Sequence, residues 1–220
     1  GYKTLNVQNA GANAYNVAIG YEAGKSISTG VQNTILGGLA GDALTTGSNN
    51  VAIGNNALST EDAHGRNVAI GHNALMTQDA GADAYNIAMG YNSGKLITTG
   101  TQNTIIGGLA GDALTTGMNN VAVGYNALSA EDGDSCNIAI GAHALEDQNA
   151  GATAYNVAVG HAAGRNVTTG VQNTIIGGLA GDALTTGGEN TAIGYEALSG
   201  EDTGSRNTAI GWRALKKLNY

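Results

Sequence analysis

An asparagine that opens a five-residue unit recurs twelve times in this chain of 220 residues, and its spacing restricts the possible folds. The unit reads Asn, then Val, Ile or Thr, then Ala or Ile, then an aliphatic residue or Met, then Gly. The steps between successive asparagines are 17, 17, 17 and 19, and this series then repeats. The first full series is Asn16, Asn33, Asn50, Asn67 and Asn86. A period this short cannot close a globular domain, so it predicts a solenoid whose coils pack only against their neighbours.

Four coils make one super-repeat, and we interpret residues 1–220 as a single repeat domain. Residues 1–15 match the end of a preceding fourth coil, and the super-repeats span 16–85, 86–155 and 156–220. The 36 glycines and the lack of a 3.6-residue period argue against helices. The sequence therefore predicts an all-β parallel β-roll of twelve coils, each with two short strands and two turns. Coils about 4.8 Å apart would give a rod of roughly 55 to 60 Å.

Several positions of the coil hold one kind of residue throughout. We expect the opening Asn to form a ladder of stacked side-chain amides, and the strand Gly to need a positive φ or a close backbone approach. Representative structural positions are Asn16, Gly20, Asn86, Gly90, Asn156 and Gly160. Large side chains alternate between two places, since coils with Gly at one position, such as Gly24, carry Ile27 three residues later, whereas others carry a Leu such as Leu58 at the earlier position. Such compensation is expected of a close-packed interior.

The two faces of the strand are assigned from its alternation. The aliphatic residue three positions after each Asn, such as Ile19 or Leu36, is expected to face the interior as a core column. The residue two positions after the Asn would then face outward. It is usually Ala, but the second coil of each super-repeat has Ile35, Ile105 or Ile175. A large aliphatic residue facing outward would be buried only in an oligomer.

The units NVAIGYEAG, NVAIGNNAL and NTAIGWRAL resemble the Asn-x-Ala-Ile-Gly repeats of phage tail fibres and of the β-roll heads of YadA-type trimeric autotransporter adhesins. Coils as long as these are more similar to the tail-fibre version. The resemblance implies an intertwined or side-by-side homotrimer, with an isolated monomeric solenoid as the alternative. It implies a structural and adhesive fibre segment, on a virion tail fibre or an extracellular cell surface. Its expected partners are further copies of itself and a glycan or protein of the host-cell surface. The alternatives are the head of a bacterial adhesin and a lectin-like glycan-binding module.

Candidate ligand contacts come from two surfaces. Four tyrosines directly follow a strand Gly and could stack on sugar rings, namely Tyr21, Tyr91, Tyr125 and Tyr195. The fourth coil is two residues longer than the others, and a solenoid forces an insertion outward. We therefore expect ligand contacts in or beside these longer loops, where the acidic candidates are Asp79, Asp83 and Asp147.

Other functions are disfavoured by the residues present. Acidic pairs recur at Glu61-Asp62, Glu131-Asp132 and Glu201-Asp202. A solvated turn is the favoured interpretation, with a weak cation site as the alternative, and such repetition argues against catalysis. No enzyme activity, cofactor or metal is expected. A net charge of -8 and scattered basic residues disfavour nucleic acid, and no apolar run is long enough for membrane insertion.

Overall fold

The computed structural model describes residues 1–11, 13–130, 132–200 and 202–217. These residues form a β-solenoid in which each coil contributes one three-residue strand to a single twelve-stranded parallel sheet, with sequence neighbours adjacent. The strands are β1 (Val17–Ile19), β2 (Thr34–Leu36), β3 (Val51–Ile53), β4 (Val68–Ile70), β5 (Ile87–Met89), β6 (Thr104–Ile106), β7 (Val121–Val123), β8 (Ile138–Ile140), β9 (Val157–Val159), β10 (Thr174–Ile176), β11 (Thr191–Ile193) and β12 (Thr208–Ile210). The predicted all-β parallel solenoid is confirmed, whereas the prediction of two strands per coil is wrong for the described residues. These residues contain no α-helix, so no membrane-spanning helix is present among them.

The register of the sheet is unchanged by the longer fourth coils. Val51 of β3 pairs with Val68 of β4, and Val68 pairs in turn with Ile87 of β5, although the second step is two residues longer. Equivalent positions remain in register across both steps. The two extra residues are therefore accommodated outside the sheet, as predicted.

The two faces of the strands are the reverse of the sequence-based assignment. Ile35, Ile105 and Ile175, which were expected to face outward, are fully buried inside the solenoid of the single chain. The expected core column faces outward instead, with Ile19 61% exposed and Leu36 41% exposed. The prediction that successive strand residues face opposite sides is confirmed, but the assignment of the inward and outward sides is wrong. A coil that closes after so short a stretch of chain has a narrow interior, so the position that is mostly Ala faces inward and the larger aliphatic residue faces out.

The rest of the core follows the predicted compensation. The Ala seven residues after the Asn is buried, as in Ala23 and Ala57. Ile27 fills the interior where Gly24 leaves space, and Leu58 fills it from the earlier position in the third coil. A Cβ added at Gly24 would come within 2.8 Å of the Ile27 side chain, so the two sites share one volume.

The strand glycines and the asparagines connect successive coils. The strand glycines have a positive φ, such as 145° at Gly90, and a Cβ there would overlap the carbonyl oxygen of Gly107 in the next coil. The asparagines form the predicted ladder, in which Asn103 Oδ1 accepts a hydrogen bond from the backbone N–H of Asn120 at 2.9 Å. Asn103 Nδ2 donates to the carbonyl oxygen of Gly117 at 2.9 Å. Both predictions for these positions are confirmed.

Hydrogen bonds between coils continue beyond the strands. In the third coil every second residue after the strand has a positive φ, at Gly54, Asn56 and Leu58. The N–H groups of Gly54 and Asn56 donate to the preceding coil, and that of Leu58 donates to the following coil. The turns are therefore bonded to their neighbours along the rod and hold exposed side chains in fixed positions.

Candidate functional site

The outward side chains of β1 to β12 form an apolar surface that we call the outer strip. It consists of the residues one and three positions after each Asn, which are Val, Ile or Thr in one column and Ile, Leu, Val or Met in the other. Eleven steps of about 4.8 Å give the strip a length of roughly 53 Å. Its exposed large hydrophobic members are Val17, Ile19, Leu36, Ile87, Met89, Ile140, Ile176 and Ile210. A continuous apolar surface of this kind is typical of an interaction site.

The four candidate tyrosines lie beside the outer strip. Tyr21, Tyr91, Tyr125 and Tyr195 are all exposed. The Tyr21 ring stacks on Tyr2 of the preceding coil, and the Tyr91 ring stacks on His72, each with a centroid distance of 5.5 Å. Rings are thus oriented by their neighbours along the rod. The tyrosines belong to different coils, so they form separate aromatic positions rather than one pocket.

The longer loops of the fourth coils, residues 78–85 and 148–155, we call the fourth-coil loops. In the first loop Asp83 Oδ1 accepts a hydrogen bond from the Gly65 N–H at 3.0 Å, and Asp83 also pairs with Arg66. Arg66 donates to the Tyr85 hydroxyl at 2.9 Å. The Asp83 candidate therefore attaches its loop to the third coil, while the centre of the loop remains exposed.

The second fourth-coil loop is attached by a different side chain. Asp134 is fully buried, and its carboxylate accepts hydrogen bonds from Gln148 Nε2 at 3.1 Å and from the Ala152 N–H at 2.7 Å. It also accepts from the N–H of Ala150. Asp147, the remaining acidic candidate, is exposed beside this loop. The two loops have equal lengths but differ in chemistry at their bases.

A cluster of ionisable groups lies at the base of the first fourth-coil loop. Glu61, Asp62, His64 and Asp79 each place one possible ligand atom within 4.8 Å of the others. Glu61 is fully buried, so the interpretation of the Glu61-Asp62 pair as a solvated turn is wrong for Glu61. Its position within the coil is otherwise a core position, held by Leu44 in the preceding coil. The corresponding Glu131 and Glu201 lie outside the described residues.

The electrostatics of Glu61 differ from those of its exposed neighbour Asp62. Burial raises the pKa of Glu61, against the hydrogen bond from the backbone N–H of His64 and the nearby imidazole, which lower it. Glu61 Oε1 accepts that hydrogen bond at 2.9 Å. Sequence reasoning did not single out His64. The available signal was an imidazole three residues after an acidic residue at a position that the first two coils fill with Ile, Leu or Val. His64 itself stands at a position held by Asp134 and Gly204 in the other super-repeats.

No protein-family model, curated protein or solved structure matches this chain. The candidate functional features of the chain are the outer strip, the exposed tyrosines, the fourth-coil loops and the cluster around Glu61.

Proposed function

We propose that this chain is a structural and adhesive fibre segment that assembles as a homotrimer through its outer strip. The observation that carries the proposal is that two columns of outward side chains, one of Val, Ile or Thr and the other of aliphatic residues or Met, are exposed or partly exposed along all twelve strands. A surface roughly 53 Å long and about 10 Å wide is on the order of 500 Å², at the upper end of apolar patches on monomers. Because the strip is continuous along the rod, identical chains can pack side by side along their whole length.

The number of chains and the fibre role come from the resemblance of the repeats to tail fibres and trimeric adhesin heads. The outer strip replaces Ile35, Ile105 and Ile175 as the physical basis of assembly, since those residues are buried within one chain. A rigid rod with inter-coil hydrogen bonds in its turns suits a segment that holds receptor-binding surfaces away from a virion or cell. A virion tail fibre is the favoured location, and a bacterial surface adhesin is the alternative.

Light scattering after size-exclusion chromatography tests the assembly. We expect three chains of 21.9 kDa per particle. Ile140→Glu, which places a charge on the outer strip, should release smaller species. Leu96→Glu is the matched control, because Leu96 is 41% exposed and Ile140 38% exposed, but Leu96 lies outside the strip. A wild-type monomer at micromolar concentration, or equal effects of the two variants, would contradict the proposal.

The adhesive part of the proposal places ligand contact at the fourth-coil loops and the neighbouring tyrosines. Shortening both loops to the length found in the other coils should leave the trimer intact and weaken attachment to host cells. The variant would be compared with the wild type in a cell-binding assay at equal trimer concentration. Unchanged attachment would mean that this segment is a spacer and that the receptor is bound elsewhere in the fibre.

A glycan-binding module is the second candidate function, and the exposed tyrosines favour it. Exposed aromatic rings repeated along a rod provide several separate stacking surfaces for sugar rings. A glycan array with Tyr91→Ala and Tyr125→Ala tests this. Leu96→Ala is the control, because Leu96 is also an exposed large side chain but has no aromatic ring and lies outside the fourth-coil loops. Equal loss of binding in all three variants, or no binding by the wild type, would argue against a tyrosine-based site.

A further inference from the structure

We propose that Glu61, Asp62, His64 and Asp79 form a binding site for one divalent transition-metal cation such as zinc. The four possible ligand atoms lie within 4.8 Å of one another, although they come from two different coils. His64 Nδ1 and Glu61 Oε1 are 3.3 Å apart. Zinc bonds of about 2.0 to 2.2 Å in a tetrahedral site put neighbouring ligand atoms roughly 3.3 to 3.6 Å apart, so the two side chains are already close enough to bind the same ion.

Two buried atoms in the cluster lack hydrogen-bond partners among the described residues, namely Glu61 Oε2 and His64 Nδ1. Glu61 is fully buried, and an unpaired buried polar atom is costly because folding removes its water. The two atoms also belong to neighbouring ligands of the proposed site. A cation would compensate both of them at once, which a hydrogen bond to either atom alone would not.

The site is partly preorganised and partly adjustable. The hydrogen bond from the His64 N–H to Glu61 Oε1 at 2.9 Å fixes the turn that carries the first three ligands. The backbone N–H of Asp79 is bonded to the carbonyl oxygen of Thr98 at 2.9 Å, which fixes the start of the first fourth-coil loop. Asp62 and Asp79 have exposed side chains, so their carboxylates can close the remaining distance by changing rotamer.

The chemistry of the ligands selects the class of ion. Three carboxylates and an imidazole nitrogen suit zinc and neighbouring first-row cations, whereas calcium is bound by oxygen atoms alone. The three carboxylates also supply the negative charge that a divalent cation requires. The other super-repeats lack the full set, because Asp134 and Gly204 stand at the position of His64 and Asn149 stands at that of Asp79. We therefore expect one ion per chain.

Isothermal titration of the chelator-treated chain with zinc chloride tests the site. The expected result is one zinc ion per chain, with binding weakened about tenfold or more by His64→Asn or Glu61→Gln. Glu61→Gln should fold normally, because Gln78 and Gln148 occupy the same buried position in the fourth coils. His72→Asn and Asp132→Asn are the controls, since His72 is an exposed histidine elsewhere and Asp132 is the equivalent of Asp62 in the second super-repeat.

Hydrogen exchange gives an independent readout within the same molecule. Zinc should slow exchange at residues 61–66 and 78–85, because the ion joins the third coil to the first fourth-coil loop. Residues 148–155 should be unaffected, since their loop is attached by Asp134. The absence of zinc binding, equal loss with His72→Asn, or calcium binding as tight as zinc would overturn the proposal. None of these outcomes depends on the oligomeric state or on the adhesive role.

Discussion

Ile105 and Ile106 are consecutive residues of the same type in β6, and they test which face of the strand is inside. The register places Ile105 between Ala88 of β5 and Ala122 of β7. It is fully buried, and a Cβ added at Gly111 would lie 3.3 Å from its side chain. Its partners in the two adjacent strands are therefore small, and their side chains cannot fill a cavity left by Ile105.

Ile105→Ala should lower the free energy of unfolding by about 2 to 5 kcal/mol, the range observed for buried large-to-Ala changes. We expect the upper half of this range, because Ala and Gly neighbours leave most of the cavity open. Ile106→Ala removes the same atoms from a partly exposed position on the outer strip. Its expected cost within one chain is smaller, about 1 kcal/mol, because this side chain is already partly in contact with water.

Urea unfolding followed by circular dichroism would compare the two variants at one protein concentration. Hydrogen exchange at residues 103–111 would show whether the loss is local, since coils of a solenoid interact mainly with their neighbours. A loss of about 1 kcal/mol or less for Ile105→Ala would refute the assignment of Ile105 to the interior.

Three further predictions concern the asparagine ladder, the glycines and three partly buried aspartates. Asn103→Ala should destabilise the rod by roughly 2 to 6 kcal/mol in urea unfolding, because it leaves the carbonyl oxygen of Gly117 and one backbone N–H without partners. Gly90→Ala should prevent stacking of its coil, whereas Gly81→Ala should cost only about 1 kcal/mol, since a Cβ at Gly81 meets no atom within 4 Å; equal melting temperatures would refute this. Burial raises the pKa of the equivalent residues Asp42, Asp112 and Asp182 above the usual 3.8. Their protonated forms stabilise the fold at low pH, and this contribution is lost as the pH rises through the raised pKa values. Replacing all three with Asn should flatten the pH dependence of the melting temperature above pH 3.8, and an unchanged slope would refute the assignment.

The period of the sequence was sufficient to predict the solenoid, its parallel sheet and its asparagine ladder. Each of these depends on residues that repeat at fixed offsets. The 17-residue step from Asn103 to Asn120, for example, is enough to predict the register of neighbouring coils. The face of the strand could not be assigned in the same way. Alternation places Ile105 and Ile106 on opposite sides of the strand, but it does not indicate which side faces the interior of the solenoid. The size of the interior decides this, and that depends on the three-dimensional path of the turns.

The candidate sites were predictable to a lesser extent, because they depend on contacts between coils. The exposure of Tyr91 and Asp83 followed from their positions after a strand Gly and within an insertion. The meeting of Asp79 with His64 did not, since these residues belong to different coils and only one super-repeat contains both. Repetition identifies what holds the rod together. The cluster around Glu61 occurs in one super-repeat, so repetition could not identify it.

The fourth-coil loops carry a recurring structural cost that argues for a role beyond stability. In the other coils that can be followed, the Asn Nδ2 donates to the carbonyl oxygen 14 residues later, as Asn50 does to His64 at 3.2 Å. The two-residue insertion breaks this pattern, and the buried Asn67 Nδ2 and Asn137 Nδ2 have no hydrogen-bond partner within the described part of the chain. Each unpaired donor costs about 1 to 3 kcal/mol.

Deleting the two extra residues from one loop should therefore stabilise the rod by roughly 1 to 3 kcal/mol, because the lost hydrogen bond can form again. The measurement is the shift of the urea midpoint for a deletion in 78–85, with the equivalent deletion in 148–155 compared separately. The second deletion should yield a smaller gain, since it also disturbs the hydrogen bonds that Asp134 accepts from that loop. A loss of stability in the first variant would refute the argument, because it would mean that the insertion supports the solenoid. A gain in stability together with weaker attachment to cells would indicate that both loops are retained for binding.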